Sequence, residues 1–209
     1  MILFTKNIND YQLWAGVTSF RDPAVFKYTI FEYGWPRTSD QLVGPGNKIS
    51  FEDCIFRYNE HYYGWTNTGN HITLRGNTYA ERCVFEYNKA QSHIIGLEDD
   101  NWIGHFKDNI VSGNLTENGI DPLACVSIRT VNDLSRIKGN SFLRHRQQLW
   151  AVPNHDPSGF PIGVRWSNGG GHQLPTFQVN ELDSNYFGTT SNTEIEKLLY
   201  DFTENPVFP

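Results

Sequence analysis

Six copies of one aromatic-rich segment, turns marked by Gly-Asn and Asn-Gly pairs, and the lack of any long helical period predict an all-β chain. The predicted fold is a right-handed parallel β-helix solenoid of about six coils with a short C-terminal capping helix. The copies occupy residues 26–34 (FKYTIFEYG), 51–59 (FEDCIFRYN), 80–88 (AERCVFEYN), 106–114 (FKDNIVSGN), 137–142 (IKGNSF) and 182–187 (LDSNYF). Their starts are separated by 25, 29, 26, 31 and 45 residues, close to the roughly twenty to thirty residues of a coil of three short strands. The last step carries an insertion.

The fourth position of the copies reads Thr29, Cys54, Cys83, Asn109, Asn140, Asn185. A small polar or thiol side chain turned inward at a bend stacks on its equivalent in the next coil, and asparagine tolerates the left-handed backbone of such a bend. The sixth position reads Phe31, Phe56, Phe85, Val111, Phe142, Phe187, an internal aromatic stack. Alternation at Ile49 and Phe51, and less cleanly at Leu134 and Ile137, marks short strands. A second strand is expected after most copies, in 62–65, 94–97, 125–128, 149–152 and 162–166. Cys54 and Cys83 share one position in consecutive copies and read as a stacked pair of reduced thiols. Residues 191–209 read as the closing cap of a single domain spanning 1–209, itself the C-terminal part of a longer solenoid or assembly. Thr193 and Glu196 have capping-box spacing, which starts a helix there, and Ile195, Leu198 and Leu199 would cover the open end of the stack.

Composition narrows the functional classes. A net charge of −6 with no run of Lys or Arg argues against nucleic-acid binding, which needs a basic stripe for phosphates. A strongly anionic polymer would likewise need local positive charge. No apolar stretch approaches the ~20 residues of a membrane span, and the opening residues Met1 to Lys6 lack the features of a secretory signal. Three cysteines are too few, and odd in number, for a disulfide framework. The triplet Asn114-Leu115-Thr116 fits a glycosylation acceptor but is too common by chance to carry weight.

The copies, together with the closing segment Asn185-Tyr186-Phe187-Gly188-Thr189-Thr190 and the Tyr200-Asp201 pair beyond it, resemble the repeats of bacterial and viral right-handed parallel β-helix proteins of the pectin-lyase-like type. Phe187 stands where that closing motif usually has Trp. The resemblance covers roughly residues 20–209 and matches no single catalytic family. It implies a polysaccharide- or glycan-recognising surface, with lyase or hydrolase activity left open. The other reading it leaves open is a non-catalytic structural β-helix of a phage tail, virion or cell surface. Either would place the chain outside the cell or on a virion, with a homo-oligomer or a neighbouring β-helix segment covering the N-terminal end.

Register stacking nominates the candidate site. Glu98, Asp99, Asp100, then Arg129, then His155 and Asp156 follow the second strands, and on successive coils they would share one face, about 4.8 Å per coil. A carboxylate pair suits glycoside hydrolysis, and a carboxylate beside a cation suits proton abstraction next to a uronate. The same residues also read as solvated turns with weak ion pairs. Tyr62, Tyr63, Trp65, Trp102 and Trp150 are the candidate substrate-binding rings, able to stack on sugar faces or to act as internal anchors. Trp166 reads as core. No metal site or cofactor is expected. Ca2+ is the one ion that Glu98, Asp99 and Asp100 could hold, given partners from other coils. Asn154-His155-Asp156-Pro157 resembles the Asp-Pro-His-Asp motif of alginate epimerases in a different order. The proline- and glycine-rich insertion at 153–175 is a natural place for a binding loop.

Overall fold

The computed structural model describes residues 1–5, 14–15, 23–35, 48–61, 72–75, 78–90, 94–98, 104–118, 126–129, 137–143, 146–149, 162–165, 184–196 and 199–200. In chain order the strands are β1 (Ile2–Phe4), β2 (Trp14–Ala15), β3 (Ala24–Lys27), β4 (Thr29–Glu32), β5 (Gly34–Trp35), β6 (Ile49–Glu52), β7 (Ile55–Arg57), β8 (Glu60–His61), β9 (Ile72–Arg75), β10 (Thr78–Glu81) and β11 (Val84–Glu86). They continue with β12 (Lys89–Ala90), β13 (Ile95–Glu98), β14 (His105–Lys107), β15 (Ile110–Ser112), β16 (Leu115–Asn118), β17 (Val126–Arg129), β18 (Ile137–Lys138), β19 (Ser141–Leu143), β20 (Arg146–Leu149) and β21 (Ile162–Arg165). Helix α1 (Asn192–Glu196) and strand β22 (Leu199–Tyr200) follow.

Among the described residues every strand pairing is parallel, and the strands stack into four main sheets, an arrangement compatible with a β-helix-like solenoid. Sheet I orders β18-β14-β10-β6-β3, sheet II β1-β4-β7-β11-β15-β19, sheet III β20-β16-β12-β8, and sheet IV β22-β21-β17-β13-β9, with β2 and β5 paired separately. From β6 onward the chain visits sheets I, II, III and IV in that order and then begins again. Each circuit therefore holds four short strands, where the sequence suggested three.

The extra strand comes from the bends. Non-glycine residues with positive φ occur in pairs five residues apart: Tyr28 and Tyr33, Asp53 and Tyr58, Arg82 and Tyr87. Asp108 with Gly113 continues the series, and Gly139 and Ser184 extend the first row. Each of the first four copies thus contains two corners rather than one strand and its turn. The left-handed residue is the one before the expected asparagine, so the third position takes the bend and the fourth turns inward. The second strands also divide. β13, β17 and β21 share sheet IV, whereas the segment near 149 forms β20 in sheet III.

Two polar ladders follow the two corners. After the first, Cys83 N donates to Asn109 Oδ1 (2.8 Å), Asn109 Nδ2 to Asn140 Oδ1 (3.0 Å) and Asn140 Nδ2 to Asn185 Oδ1 (2.9 Å). After the second, Gly34 N donates to Asn59 Oδ1 (3.0 Å), Asn59 Nδ2 to Asn88 Oδ1 (2.9 Å) and Asn88 Nδ2 to Asn114 Oδ1 (3.0 Å). The same amides donate to main-chain carbonyls of the preceding circuit, as from Asn88 to Phe56 O (3.0 Å) and from Asn114 to Phe85 O (2.9 Å). Buried amides satisfied this completely strengthen a stack of identical bends instead of opposing burial. Asn114 is spent in this ladder, so its side chain is not open to a sugar-transferring enzyme in the folded chain.

Between the ladders lies the core. Phe31, Phe56 and Phe85 stack at 4.7 Å, Phe4 lies on Phe31 at 5.2 Å, and Phe142 on Phe187 at 5.3 Å. A second column pairs Phe26 with Phe51 at 5.3 Å. It is broken by Ala80, beyond which Phe106 tilts 39° against Phe85. Val111 interrupts the first column. Aromatic pairs of this kind add roughly 0.5–1.5 kcal/mol each beyond their area.

Helix α1 begins one residue earlier than the capping-box spacing implied. Ser191 O accepts from Glu194 N (3.0 Å) and Ile195 N (2.9 Å), which makes Ser191 the residue at the helix start and places Thr193 inside the first turn. Ile195 belongs to the buried cluster, while Leu199 lies in β22, paired with Ile162.

Asn88→Ala is expected to lower stability by about 2–4 kcal/mol, because it strips an acceptor from Asn59 N and Nδ2 and a donor from Phe56 O inside the core. Urea unfolding of the variant against the parent chain measures this, and a loss under ~0.5 kcal/mol would contradict a structural ladder.

Candidate functional site

Sheet IV brings together the residues with the most functional promise. Arg75 and Glu98 are Cα partners on β9 and β13, and Arg129 and Arg165 are Cα partners on β17 and β21. Leu97 pairs with Ile128, so Glu98 and Arg129 stand one step further along adjacent strands. Arg75, Glu98, Arg129 and Arg165 therefore form one register column at the C-terminal ends of four parallel strands. At about 4.8 Å per strand the column runs ~14 Å along the stack. Positions two residues back in the first two strands, Thr73 and Gly96, share a second column, and the residues between them, Ile72, Leu74, Ile95 and Leu97, are buried in the core.

The sequence nominated Glu98 and Arg129, and the sheet places them on neighbouring strands. Arg75 and Arg165 went unnoticed. They belong to strands whose pairing emerges only after the path through sheets I, II and III is known. In this sheet the strand after β17 is β21, and Arg165 is the register partner of Arg129. His155, Asp156, Asp99 and Asp100 lie outside the described residues, as do Tyr62, Tyr63, Trp65, Trp102, Trp150 and Trp166.

A different set of rings is laid out on the surface. Tyr33, Tyr58 and Tyr87, the left-handed residues of the second corner, stack at 5.9 and 5.7 Å and remain partly exposed. A Cβ added at Gly113 would meet the Tyr87 ring at 2.8 Å, so the row ends over that glycine. Because these rings face one another, the row offers edges and hydroxyls to solvent instead of the free faces on which a sugar stacks. The signal was the eighth position of the repeat, which reads Tyr, Tyr, Tyr, Gly.

Charge rows edge both corners. Lys27 Nζ lies 2.6 Å from Glu52 Oε2, Arg82 Nε 2.8 Å from Asp53 Oδ1, and Arg57 Nε 2.9 Å from Glu32 Oε2. The like-charged Cα partners Glu52 and Glu81 are both approached by the Arg82 guanidinium, at 3.9 and 3.0 Å. Hydrogen bonding to Lys27 and Arg82 holds the Glu52 and Asp53 carboxyls below their ordinary values, and the partner carboxylates raise Lys27, Lys107 and Arg82. These are solvated pairs and serve the stack only modestly.

Among the described residues no group of three or more His, Cys, Asp or Glu converges as a metal site, and no helix is long and apolar enough to cross a membrane. Scans of the chain against protein-family models, curated proteins and solved structures returned no match.

The direction of the shifts sets a pH dependence. Glu52 and Asp53 have folded-state values below the unfolded ones, so their contribution is complete above the unfolded values of 4.5 and 3.8 and is lost as pH falls through the folded values. The raised Lys27 and Lys107 contribute below 10.5 and cease to do so only as pH rises beyond it. The urea midpoint is expected to stay level between roughly pH 6 and 9 and to decline below about pH 4.5. The double variant Glu52→Gln, Asp53→Asn should flatten part of that acid limb, and an unchanged limb would show that other carboxylates control it.

Proposed function

We propose that the chain is a right-handed parallel β-helix of about six coils, closed at one end by the segment from α1 onward, that recognises an anionic polysaccharide along sheet IV. The observation that carries this reading is the column Arg75, Glu98, Arg129, Arg165. Three of its four residues are arginines in a chain of net charge −6, and Arg129 and Arg165 are directly paired. Like charges opposite one another in a sheet oppose folding. A local arrangement that works against stability points to a ligand that gains from it. Arginine suits carboxylate groups, which it can engage through two parallel hydrogen bonds. The rise per strand is comparable to the length of one pyranose unit, so a uronate-bearing chain running along the stack would present an acid group to each arginine in turn.

Glu98 gives this surface a route to chemistry. A glutamate between Arg75 and Arg129 is placed to take the proton beside a uronate carboxylate while an arginine neutralises that carboxylate, leaving an unsaturated sugar on cleavage. A structural role is the second reading. It is favoured by Ile2 and Leu3, exposed on β1 at the edge of sheet II, where a neighbouring β-helix segment in a surface or virion assembly would pair. The proposed location in either case is extracellular, cell-surface or virion.

Binding and turnover on a panel of anionic and neutral polysaccharides test the proposal. Anionic chains should bind, more weakly as salt rises, and Arg129→Ala or Arg165→Ala should each lower affinity about tenfold, ~1.4 kcal/mol. If cleavage occurs, Glu98→Gln should remove it while leaving binding in place. Preference for neutral chains, or affinity indifferent to both arginine variants, would reject the column as the site. No binding at all would favour the structural reading.

A further inference from the structure

We propose that Cys54 and Cys83 are an oxidisable pair, which a hydroperoxide converts into a disulfide joining consecutive circuits of the chain. This goes beyond glycan recognition and concerns residues remote in register from sheet IV. The geometry comes first. Glu52 pairs with Glu81 ahead of the corner and Ile55 with Val84 after it, so Cys54 and Cys83 are opposed between them, and Val84 N donates to Cys54 O at 2.9 Å. Equivalent residues on adjacent parallel strands are about 4.8 Å apart, inside the roughly 4.4–6.8 Å between Cα atoms that a disulfide accepts. Both side chains turn inward from the same corner on near-parallel vectors, so their Cβ atoms need to approach by about 1 Å to reach the ~3.8 Å typical of a disulfide.

Both thiols are free and buried, and both are held by weak bonds alone. Cys54 Sγ donates to Phe26 O and Glu52 O (both 3.3 Å), and Cys83 Sγ to Phe51 O (3.3 Å) and Glu81 O (3.4 Å). Further along the same ladder, Asn109, Asn140 and Asn185 each supply a carbonyl oxygen that accepts a main-chain amide of the circuit before. A thiol has no such oxygen. The steps from Thr29 to Cys54 and from Cys54 to Cys83 therefore lack the amide bonds of the later steps, and between the two cysteines a covalent bond would replace what the amides provide elsewhere.

The chemistry balances. A hydrogen bond from Cys83 favours the Cys54 thiolate, while the shared proton and burial hold the Cys83 thiol up. The Cys54 sulfur attacks the peroxide, the O–O bond breaks, and one water leaves, forming the Cys54 sulfenic acid. The Cys83 sulfur then attacks the Cys54 sulfur, the S–O bond breaks, and the oxygen departs as a second water with the Cys83 proton. Two thiols lose two electrons and two protons, and the peroxide gains them. Arg82, next to Cys83 in the chain, is exposed, so the pair lies just beneath the surface of the corner.

The test is treatment of the native full chain with hydrogen peroxide, alkylation of remaining thiols after unfolding, and peptide mapping. The expected product is a 54–83 linked peptide lighter by two hydrogens, with Cys125 alkylated and Tm raised by roughly 5–10 °C, reversibly with dithiothreitol. Links through Cys125, or sulfinic and sulfonic acids at Cys54 without the 54–83 link, would overturn the proposal. Cys54→Thr installs the residue type found at Thr29 in the same ladder, and in it the rise in Tm should vanish. A rise that persists would place its cause elsewhere. Should that variant not fold, the peptide map of the parent chain decides alone.

Discussion

The structure rests on a constraint repeated twice per circuit. A residue in the left-handed region turns the chain, and the residue after it sends a polar side chain into the interior. Left-handed backbone costs an ordinary side chain roughly 1–2 kcal/mol, yet Tyr28, Tyr33, Asp53, Tyr58, Arg82, Tyr87 and Asp108 all adopt it. What offsets that cost is the ladder behind each corner. The amides of Asn59, Asn88 and Asn114, and of Asn109, Asn140 and Asn185, are shared between successive circuits, so the buried amides of these corners are paired and support one another. One corner in isolation would be unfavourable, and a stack of them is cooperative. This is the nearest-neighbour energetics of a repeat architecture.

Once the corners are locked, every other residue inherits a place in a row along the stack. The two inward rows that pass through Phe31 and Phe26 are mostly phenylalanine, with Val111, Ala80 and Ile137 as exceptions, and Phe106 tilts against Phe85. Outward rows at the first corner alternate in charge or gather like charges around a bridging arginine, as Arg82 does between Glu52, Glu81 and Asp53. The tyrosine row shows the same logic with rings. Against this background sheet IV is unusual, because its arginine column concentrates one sign of charge on paired strands. In the proposed reading, this contrast with the paired charges of the first corner is what an anionic partner would use.

The legible parts of the sequence were those in which one residue type recurs at a fixed offset. The sixth-position phenylalanines and the fourth-position polar series could be read directly, and both are buried apart from the half-buried Asn185. The ninth-position series Gly34, Asn59, Asn88, Asn114 was equally visible in the copies, but its meaning depends on a second corner that no single copy announces. The helix start moved from Thr193 to Asn192 because hydrogen bonds to Ser191 O, and not side-chain spacing, define it. Of the candidate site, Glu98 and Arg129 could be found, since each ends an apolar strand-like segment. Arg75 and Arg165 end segments of the same kind but were passed over, since which of these segments pair depends on the path of the chain between them.

By itself, then, the sequence determined the all-β, parallel, repeating character of this chain and the identity of its internal stacks. Those follow from periodicity, and periodicity is a property of one dimension. Only the tertiary structure decided which strands share a sheet, that the described circuits from β6 to β21 have four of them, and that Arg165 stands opposite Arg129. Register between strands some 30 residues apart is set by how the intervening corners and loops consume chain length. That length varies from circuit to circuit, and it becomes fixed only when the ladders close.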